Sequence, residues 1–330
     1  MLLSSLAAAD PHVNGVDGTM DTGGRARIKG DGFGEKKEAK PIAYADFEKG
    51  LDPSPKGQKS KWDGIENFTW GKEGPDGGGC AVGVAGKGPW TICVEHHYWS
   101  KEGGFAYVFR RQRMNFIISD PSQNWKIWRM WPEEGTNYPN IYMASSNGEV
   151  NVENVGERSG YYGRFNPMST DWLNEEILFR ASNMDVKDGL CTYKCNGVEM
   201  ASGAVMTRSS RAPAYMARNY GVHAVPANLS RWSPPWSPTN QVWVAELYVD
   251  DSWSRVMLGD KPLRREGRRW EIQIPTKWTD SEIEINVNSR IFKPGETAYL
   301  YVFNANNRCN ERGYPVHVGP VAVASARGVR

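Results

Sequence analysis

The sequence has no long apolar run and almost no net charge, and each absence excludes a class of protein. No stretch of about 18 consecutive apolar residues occurs in the 330-residue chain, so we predict no membrane-spanning helix. The 40 Lys and Arg residues nearly balance the 38 Asp and Glu residues, which leaves a net charge of +2. Nucleic-acid binding needs a concentrated positive field that displaces counterions from phosphates, so we expect no nucleic-acid partner.

Cysteines are few, and their count is odd. With five cysteines, at least one thiol is free or available for a bridge between subunits. No Cys-x-x-Cys spacing occurs and the five histidines are scattered, so small buried side chains are favoured over a zinc site. A glycine-rich segment permits a disulfide between Cys80 and Cys93. Cys191 and Cys195 lie about 13 Å apart along one predicted strand, which is too far for a bridge.

Aromatic and turn-forming residues are abundant instead. The chain has 14 Trp, 14 Tyr and 10 Phe, together with 35 Gly and 20 Pro, and it lacks the periodicity of amphipathic helices. Asn196-Gly197 joins two strand-like runs and predicts a hairpin, because a type I′ turn needs positive φ at both central positions. The prolines of residues 226–240 exclude a central strand there. These patterns predict an all-β chain and exclude a helical bundle.

The two ends of the chain each show part of a sandwich. Residues 1–9 are apolar and are interpreted as a flexible arm or as the remnant of a secretory signal. A hairpin-like run at Arg25–Gly34 has no neighbouring strands, although a lone hairpin is barely stable in water. Residues 270–318 alternate as strands do but lack the beginning of a sandwich.

Short motifs in these two ends resemble IPT/TIG-type immunoglobulin-like domains. Arg27–Gly34 is similar to the opening of such domains, and Trp278–Ile283 is similar to their second half. The resemblance implies one discontinuous immunoglobulin-like domain, residues 10–42 plus 262–325, into which the rest of the chain is inserted. The closing hairpin of that domain would comprise Phe292–Gly295 and Tyr299–Val302.

The insert, residues 43–261, resembles a concanavalin A-like jelly roll of the laminin-G and polysaccharide-lyase type. The resemblance implies a jelly-roll sandwich, but such sandwiches serve lectins, lyases, hydrolases and virion proteins, so it does not fix a function. The motifs that carry it are Trp172–Phe179, the hairpin Asp188–Gly197, and the last two strands, Val244–Asp250 and Trp253–Leu258.

Aromatic and cationic side chains indicate glycan binding. Aromatic rings offer apolar faces to sugar C–H groups, while polar side chains satisfy the hydroxyl groups. Alternate residues of the predicted strand 104–118 share one face, and the proline-rich loop carries two tryptophans. The candidate glycan-binding residues are Tyr107, Arg111, Arg113, Arg129, Trp232 and Trp236.

A polysaccharide lyase, which acts on uronate-containing glycans by β-elimination, is the alternative function. It needs a base that abstracts the sugar C5 proton and cationic or amide groups that neutralise the uronate carboxylate. A glycoside hydrolase is disfavoured, because Glu175 and Glu176 are adjacent and point to opposite faces. The candidate groups for the lyase are Tyr107, Arg111 and Arg113 on one strand, Lys126 or Arg129 on the next, and the imidazoles of His96, His97 and His223.

We favour a non-enzymatic β-sandwich protein exposed outside the cell, on a cell surface or on a virion. It would bind a polysaccharide or cell-surface glycan, or form a structural subunit that assembles with itself or with other subunits. No cofactor is expected apart from a structural Ca²⁺, held where the first and last strands of the jelly roll pair. The candidate ligands of that ion are Asp46, Glu48, Asp250 and Asp251.

Overall fold

The structure is a computed structural model in which the chain divides into two compact units. Unit 1 comprises Met1–Lys40 and Trp253–Arg330, and unit 2 comprises Pro41–Ser252. Within the described segments, no helix combines the length and apolar character needed to cross a membrane. The residues that the structure describes are 9–51, 62–97 without 86, 88 and 89, 104–115, 124–132, 141–146, 149–154, 157–164, 171–206, 208, 210, 220–227, 239 and 241–319.

Strands account for nearly all regular structure in these segments, so the predicted all-β fold class is confirmed. Unit 1 begins with β1 (His12–Gly18) and β2 (Arg25–Asp31). Unit 2 contributes β3 (Ala43–Ala45), β4 (Trp62–Glu66), β5 (Phe68–Gly71), β6 (Cys80–Gly83), β7 (Trp90–His97), β8 (Phe105–Met114), β9 (Asn124–Pro132), β10 (Ile141–Ser146), β11 (Glu149–Asn154), β12 (Glu157–Arg164), β13 (Leu173–Arg180), β14 (Gly189–Cys195), β15 (Val198–Val205), β16 (Tyr220–Ala227) and β17 (Val242–Asp250). Unit 1 resumes with β18 (Arg255–Gly259), β19 (Trp270–Ile272), β20 (Ile274–Trp278), β21 (Glu282–Asn286), β22 (Thr297–Phe303) and β23 (Tyr314–His317).

Unit 1 is a sandwich of two four-stranded sheets. Sheet 1 has the strand order β1-β2-β21-β20, and sheet 2 has the order β19-β18-β22-β23. Alternate residues face inward, as Ala26 and Ile28 do on β2 and as Val256 and Leu258 do on β18. Their apolar side chains form one core between the two sheets, which is the usual arrangement of a β-sandwich.

The two ends of the chain lie side by side in sheet 1. β2 pairs antiparallel with β21, and Ile28 stands opposite Ile283. Phe33 is fully buried in the same core, and the indole N–H of Trp278 donates a hydrogen bond of 3.0 Å to the carbonyl of Gly34. The two motifs of the immunoglobulin-like resemblance are therefore neighbours, although membership of that domain family stays a prediction.

Unit 2 contains two larger sheets. Sheet 3 has the order β15-β14-β13-β8-β17-β6-β5, with β3 also paired to β17. Sheet 4 has the order β12-β11-β10-β9-β16-β7-β4, and only the backbone is described for β9 to β12 and for β16. The core contains Val108, Ile177 and Leu247 from sheet 3 and Ile92 and Val94 from sheet 4. The concanavalin A-like assignment of this sandwich-like unit stays a prediction.

Local turn chemistry agrees with the sequence at the β14–β15 hairpin. Asn196 has φ of 48° and Gly197 has φ of 76°. Both central positions thus have positive φ, and the predicted hairpin is confirmed.

The proline-rich segment begins inside a strand, contrary to expectation. β16 lies between β9 and β7, and its Pro226 stands opposite Thr91 of β7. Pairing of β16 with β9 ends at His223, so no described residue pairs with that edge of the strand at Pro226. A residue without an N–H group is tolerated at such an edge.

The predicted last strand of the jelly roll belongs to unit 1. β18 pairs with β22 and β19, so that Met257 lies between Tyr301 and Ile272 in sheet 2. The chain leaves sheet 3 at the end of β17, bends at Asp251 and Ser252, and enters the other unit. The second boundary between the units therefore precedes the predicted one at residue 261.

Candidate functional site

Sheet 3 has an apolar face toward the core and an opposite face rich in polar side chains. On β8, Val108 and Met114 join the core, and so does Ile177 on β13. Because side chains alternate along a strand, the residues between them point the other way. On β8 these are Tyr107, Phe109, Arg111 and Arg113, the set that the sequence places on one face. We call the face that they share the polar face of sheet 3.

A buried ion pair lies on the apolar side of the same sheet, and the sequence analysis missed it. Arg110 donates two hydrogen bonds to Glu175, from Nε at 2.7 Å and from Nη2 at 3.2 Å. Tyr193 of β14 donates its hydroxyl to the same carboxylate at 2.5 Å. Burial, and then the charge of Glu175, raise the pKa of Tyr193 well above its ordinary value, which keeps the hydroxyl as a donor. The sequence did contain a signal for this ion pair, because Arg110 and Glu175 both occupy core-facing positions of their strands.

Arg111 on the polar face has a separate set of partners. Its Nε donates to Oδ1 of Asn174 at 2.8 Å, and its Nη2 lies 3.4 Å from Oε2 of Glu246. The other oxygen of Glu246 accepts a hydrogen bond of 3.0 Å from the hydroxyl of Tyr44. Arg111 and Glu246 are both buried, so their charges compensate each other away from water.

Tyr107 is also committed to a neighbour. Its hydroxyl donates to Oε2 of Glu176 at 2.9 Å, and its ring stands edge-on to Tyr248 at a centroid distance of 5.9 Å. Tyr248 in turn donates to Oδ2 of Asp250 at 2.8 Å. Since Glu176 bonds on this face and Glu175 bonds on the core side, the prediction that the two carboxylates point to opposite faces is confirmed.

Arg113 differs from the other two arginines of β8. Its guanidinium carbon lies 4.5 Å from the ring centroid of Trp243 and 5.2 Å from that of Trp172. The indole N–H of Trp243 donates a hydrogen bond of 3.2 Å to Oε2 of Glu73. Arg113 is half-buried, and its buried Nε has no hydrogen-bond partner. Among the described residues no carboxylate pairs with it. We call the group formed by Arg113, Trp172 and Trp243 the Arg113 cradle.

Of the remaining candidate glycan-binding residues, the structure describes only the backbone of Arg129. Arg129 lies on β9, which pairs with β10 and β16 in sheet 4, because the chain has crossed to that sheet after β8. Its role as a glycan contact stays a prediction. Trp232 and Trp236 lie outside the described residues.

The predicted calcium ligands do not come together. β3 pairs antiparallel with β17, so Asp46 and Asp250 lie at opposite ends of a short ladder, about 13 Å apart. Asp250 accepts the backbone N–H of Asp251, and Glu48 accepts that of Gly79. No cluster of three or more His, Cys, Asp and Glu side chains that could hold a metal occurs in the described part of the chain. The grouping of these four residues into one site is wrong.

Three buried cysteines, Cys80, Cys191 and Cys195, are poorly ionised free thiols. Cys80 of β6 is a free thiol, so the bridge to Cys93 that the sequence permits is not formed. Burial raises the pKa of Cys80 to about 11, and it raises the pKa of Cys191 and of Cys195 to about 12. Thiols with such pKa values are not nucleophilic near neutral pH.

The groups proposed for a lyase lie on different sheets. His96 and His97 belong to β7 and His223 belongs to β16, all in sheet 4, and their side chains lie outside the described part. Tyr107 and Arg111 belong to sheet 3 and are four residues apart, which separates their Cα atoms by about 13 Å along β8.

Comparisons with known proteins give only distant likenesses. No family model matches the chain, and no curated protein matches it. Among solved structures, an endo-beta-1,4-glucuronan lyase from the fungus Trichoderma reesei is similar, with a TM-score of 0.44 and 12% identity over 64% of this chain and 96% of that one. The alginate lyase vAL-1 from Chlorella virus has a TM-score of 0.41 and 11% identity over 58% of this chain and 93% of that one.

A further similar structure is the alginate lyase Aly36B in complex with an alginate tetrasaccharide. Its TM-score is 0.41, with 10% identity over 58% of this chain and 86% of that one. These structural neighbours are polysaccharide lyases. At such TM-scores they carry no conclusion about the function of this chain.

Proposed function

We propose that this protein is a non-enzymatic glycan-binding protein and that the Arg113 cradle contacts an acidic sugar of its polysaccharide ligand. The observation that carries the proposal is the missing partner of Arg113. Arg110 and Arg111 each face a buried carboxylate, whereas Arg113 lies beside two indole rings and pairs with no carboxylate of the described residues. A guanidinium in that state gains a charge-assisted hydrogen bond when a carboxylate arrives.

The surroundings of Arg113 suit a sugar ring. Trp172 is half-buried, and an indole face packs well against sugar C–H groups. Trp243 is fixed by its hydrogen bond to Glu73, so the arginine is held in place before a ligand binds. A uronate, which combines a carboxylate with an apolar ring face, matches both groups.

Binding without chemistry is favoured over β-elimination. Tyr107 and Arg111 are buried, and each is bonded to a carboxylate of its own sheet. Both side chains are thus engaged within the protein, including the tyrosine that would have to act as the base.

The proposed location is extracellular, on a cell surface or on a virion. The proposal also assigns an immunoglobulin-like fold to unit 1 and a concanavalin A-like jelly roll to unit 2. A structural subunit would self-associate or bind other subunits through an interface. Measurement of the molar mass in solution at rising concentration tests this part, because a persistent monomer contradicts self-assembly.

The test of glycan binding uses affinity electrophoresis in gels that contain polygalacturonate, with gels of a neutral glucan for comparison. We expect the wild-type protein to be retarded by the acidic polymer, and Arg113→Gln to weaken binding about tenfold. Lys187→Gln, which removes an equal charge from an exposed loop of unit 2, should bind as the wild type does. Equal losses in both variants would contradict a specific role for Arg113.

A turnover assay on the same polymer tests the lyase alternative. β-Elimination creates an unsaturated product that absorbs ultraviolet light, and we expect no such product from wild-type protein. If the product appears and Tyr107→Phe abolishes it, the protein is a lyase and the non-enzymatic part of the proposal fails.

A further inference from the structure

The exposed face of sheet 1 in unit 1 carries a ladder of charged pairs. On β2, Arg25, Arg27 and Lys29 alternate with the core residues Ala26 and Ile28, so the three cations share the outer face. In the register of β2 with β21, Lys29 stands opposite Glu282, Arg27 stands opposite Glu284, and Arg25 stands opposite Asn286.

Most charges on this face are neutralised within the sheet. Nζ of Lys29 lies 2.6 Å from Asp17 of β1, and Nη2 of Arg27 lies 3.3 Å from Glu284. Lys277 of β20 lies 2.8 Å from Glu282. Cross-strand pairs of opposite charge are the normal arrangement on a solvent-facing sheet.

The series of opposite-charge pairs between β2 and β21 stops before Arg25. The residue opposite Arg25 is the uncharged Asn286, where the two preceding positions have glutamates. Neither Arg25 nor the nearby Lys40 has an ion-pair partner among the described residues, and both are exposed. One end of the sheet face therefore keeps two positive charges that no described carboxylate pairs with.

A groove of about 710 Å³ lies at that end, within the size range of small-molecule sites. Arg25 and Lys40 line it, and so do Thr276 and Asn286. Asp17 and Glu284 also line it, but each already pairs with a cation and can still accept hydrogen bonds from hydroxyl groups. The groove thus offers positive charge for an anion and several polar groups for hydroxyls.

We propose that this groove binds an acidic sugar unit, with its carboxylate or sulfate group against Arg25 and Lys40 in the place that a third glutamate would take. The site belongs to unit 1 alone and does not depend on the Arg113 cradle of unit 2. Two cations flanking a polar groove recognise an oxyanion by charge-assisted hydrogen bonds.

The experiment is isothermal titration of the full chain with Arg113→Gln, which weakens the proposed site of unit 2. The probes are trigalacturonate for a carboxylate source, a heparin-derived disaccharide for a sulfate source, and neutral cellotriose. We expect at least one acidic probe to bind and cellotriose not to bind. The acidic probe that binds identifies the source of the anionic group.

Asn286→Asp is the sharpest variant, because it changes no side-chain size and supplies the missing carboxylate opposite Arg25. In the Arg113→Gln background we expect it, and also Arg25→Gln, to weaken binding of the acidic probe at least about tenfold. Lys277→Gln is the matched control, since it removes one charge from the same sheet outside the groove, and it should change affinity less than about twofold.

Each outcome separates this proposal from that for unit 2. If Arg113→Gln protein binds no acidic probe, the groove is not a site and the Arg113 cradle stands alone. Equal losses with Lys277→Gln and Arg25→Gln indicate nonspecific charge attraction and also overturn the groove. If the acidic probe binds wild-type and Arg113→Gln proteins equally and Asn286→Asp abolishes binding, the groove is supported and the cradle fails.

Discussion

Three arginines of one strand show how position decides the role of a residue. Arg110 points into the core and pairs with Glu175, Arg111 points to the polar face and pairs with Glu246, and Arg113 lies between indoles. Alternation along β8 predicts which residues share a face. It does not predict their partners, because those come from strands that are distant in sequence.

At the residue scale, Glu175→Gln tests the buried ion pair. The substitution leaves the guanidinium of Arg110 uncompensated inside the core, so we expect a loss of about 3–5 kcal/mol in the free energy of unfolding of unit 2. Urea denaturation measures it.

Glu199→Gln on the exposed part of β15 is the control for this variant, and we expect it to change stability by less than about 0.5 kcal/mol. Tyr193→Phe, which removes one hydrogen bond to the charged Glu175, should fall between the two, at about 1.5–3 kcal/mol. If Glu175→Gln costs no more than Glu199→Gln, the ion pair is not the feature that orders this part of the core.

At the element scale, the first hairpin depends on one glycine. A Cβ on Gly30 would lie 1.9 Å from the carbonyl oxygen of His12 on the paired strand and 2.5 Å from the ring of Phe33. We expect Gly30→Ala to lower the stability of unit 1 by about 1–3 kcal/mol, because backbone and core must both move. Gly15→Ala on β1 has open space around its Cβ and should leave the urea midpoint of unit 1 unchanged. Equal midpoints for the two variants would contradict this packing argument.

Elements with strong local signals were predictable, and those with tertiary causes were not. The β14–β15 hairpin follows from Asn196-Gly197 alone. In contrast, β12 has the polar sequence ERSGYYGR, which carries no apolar alternation. β18 has an ordinary strand pattern, but only its pairing with β22 reveals to which sandwich it belongs.

The candidate sites could likewise be predicted from the sequence only in part. The shared face of Tyr107, Arg111 and Arg113 follows from spacing, and the structure agrees. That Arg113 lies beside Trp172 and Trp243 needs the order of β13, β8 and β17 in sheet 3. The groove of unit 1 needs the register of β2 with β21, which joins positions more than 200 residues apart in the printed sequence.

At the scale of the whole molecule, each unit has its own core, but the chain connects them unequally. Unit 2 is one continuous segment, Pro41–Ser252, whereas unit 1 is built from the two pieces on either side of it. If unit 2 unfolds, its chain becomes a long flexible loop inside unit 1. Closing such a loop costs on the order of 4–5 kcal/mol of conformational entropy.

This connectivity predicts an asymmetry between the two destabilised variants. In Glu175→Gln, unit 2 should unfold at lower urea, and unit 1 should then unfold earlier than in the wild type because it must close the loop. In Gly30→Ala, unit 1 should unfold earlier while unit 2, whose segment is uninterrupted, keeps its wild-type midpoint. Hydrogen exchange read by mass spectrometry can follow β2 and β21 for unit 1 and β8 and β13 for unit 2. Simultaneous exchange of all four strands in both variants would show that the units unfold as one, and the argument from connectivity would be wrong.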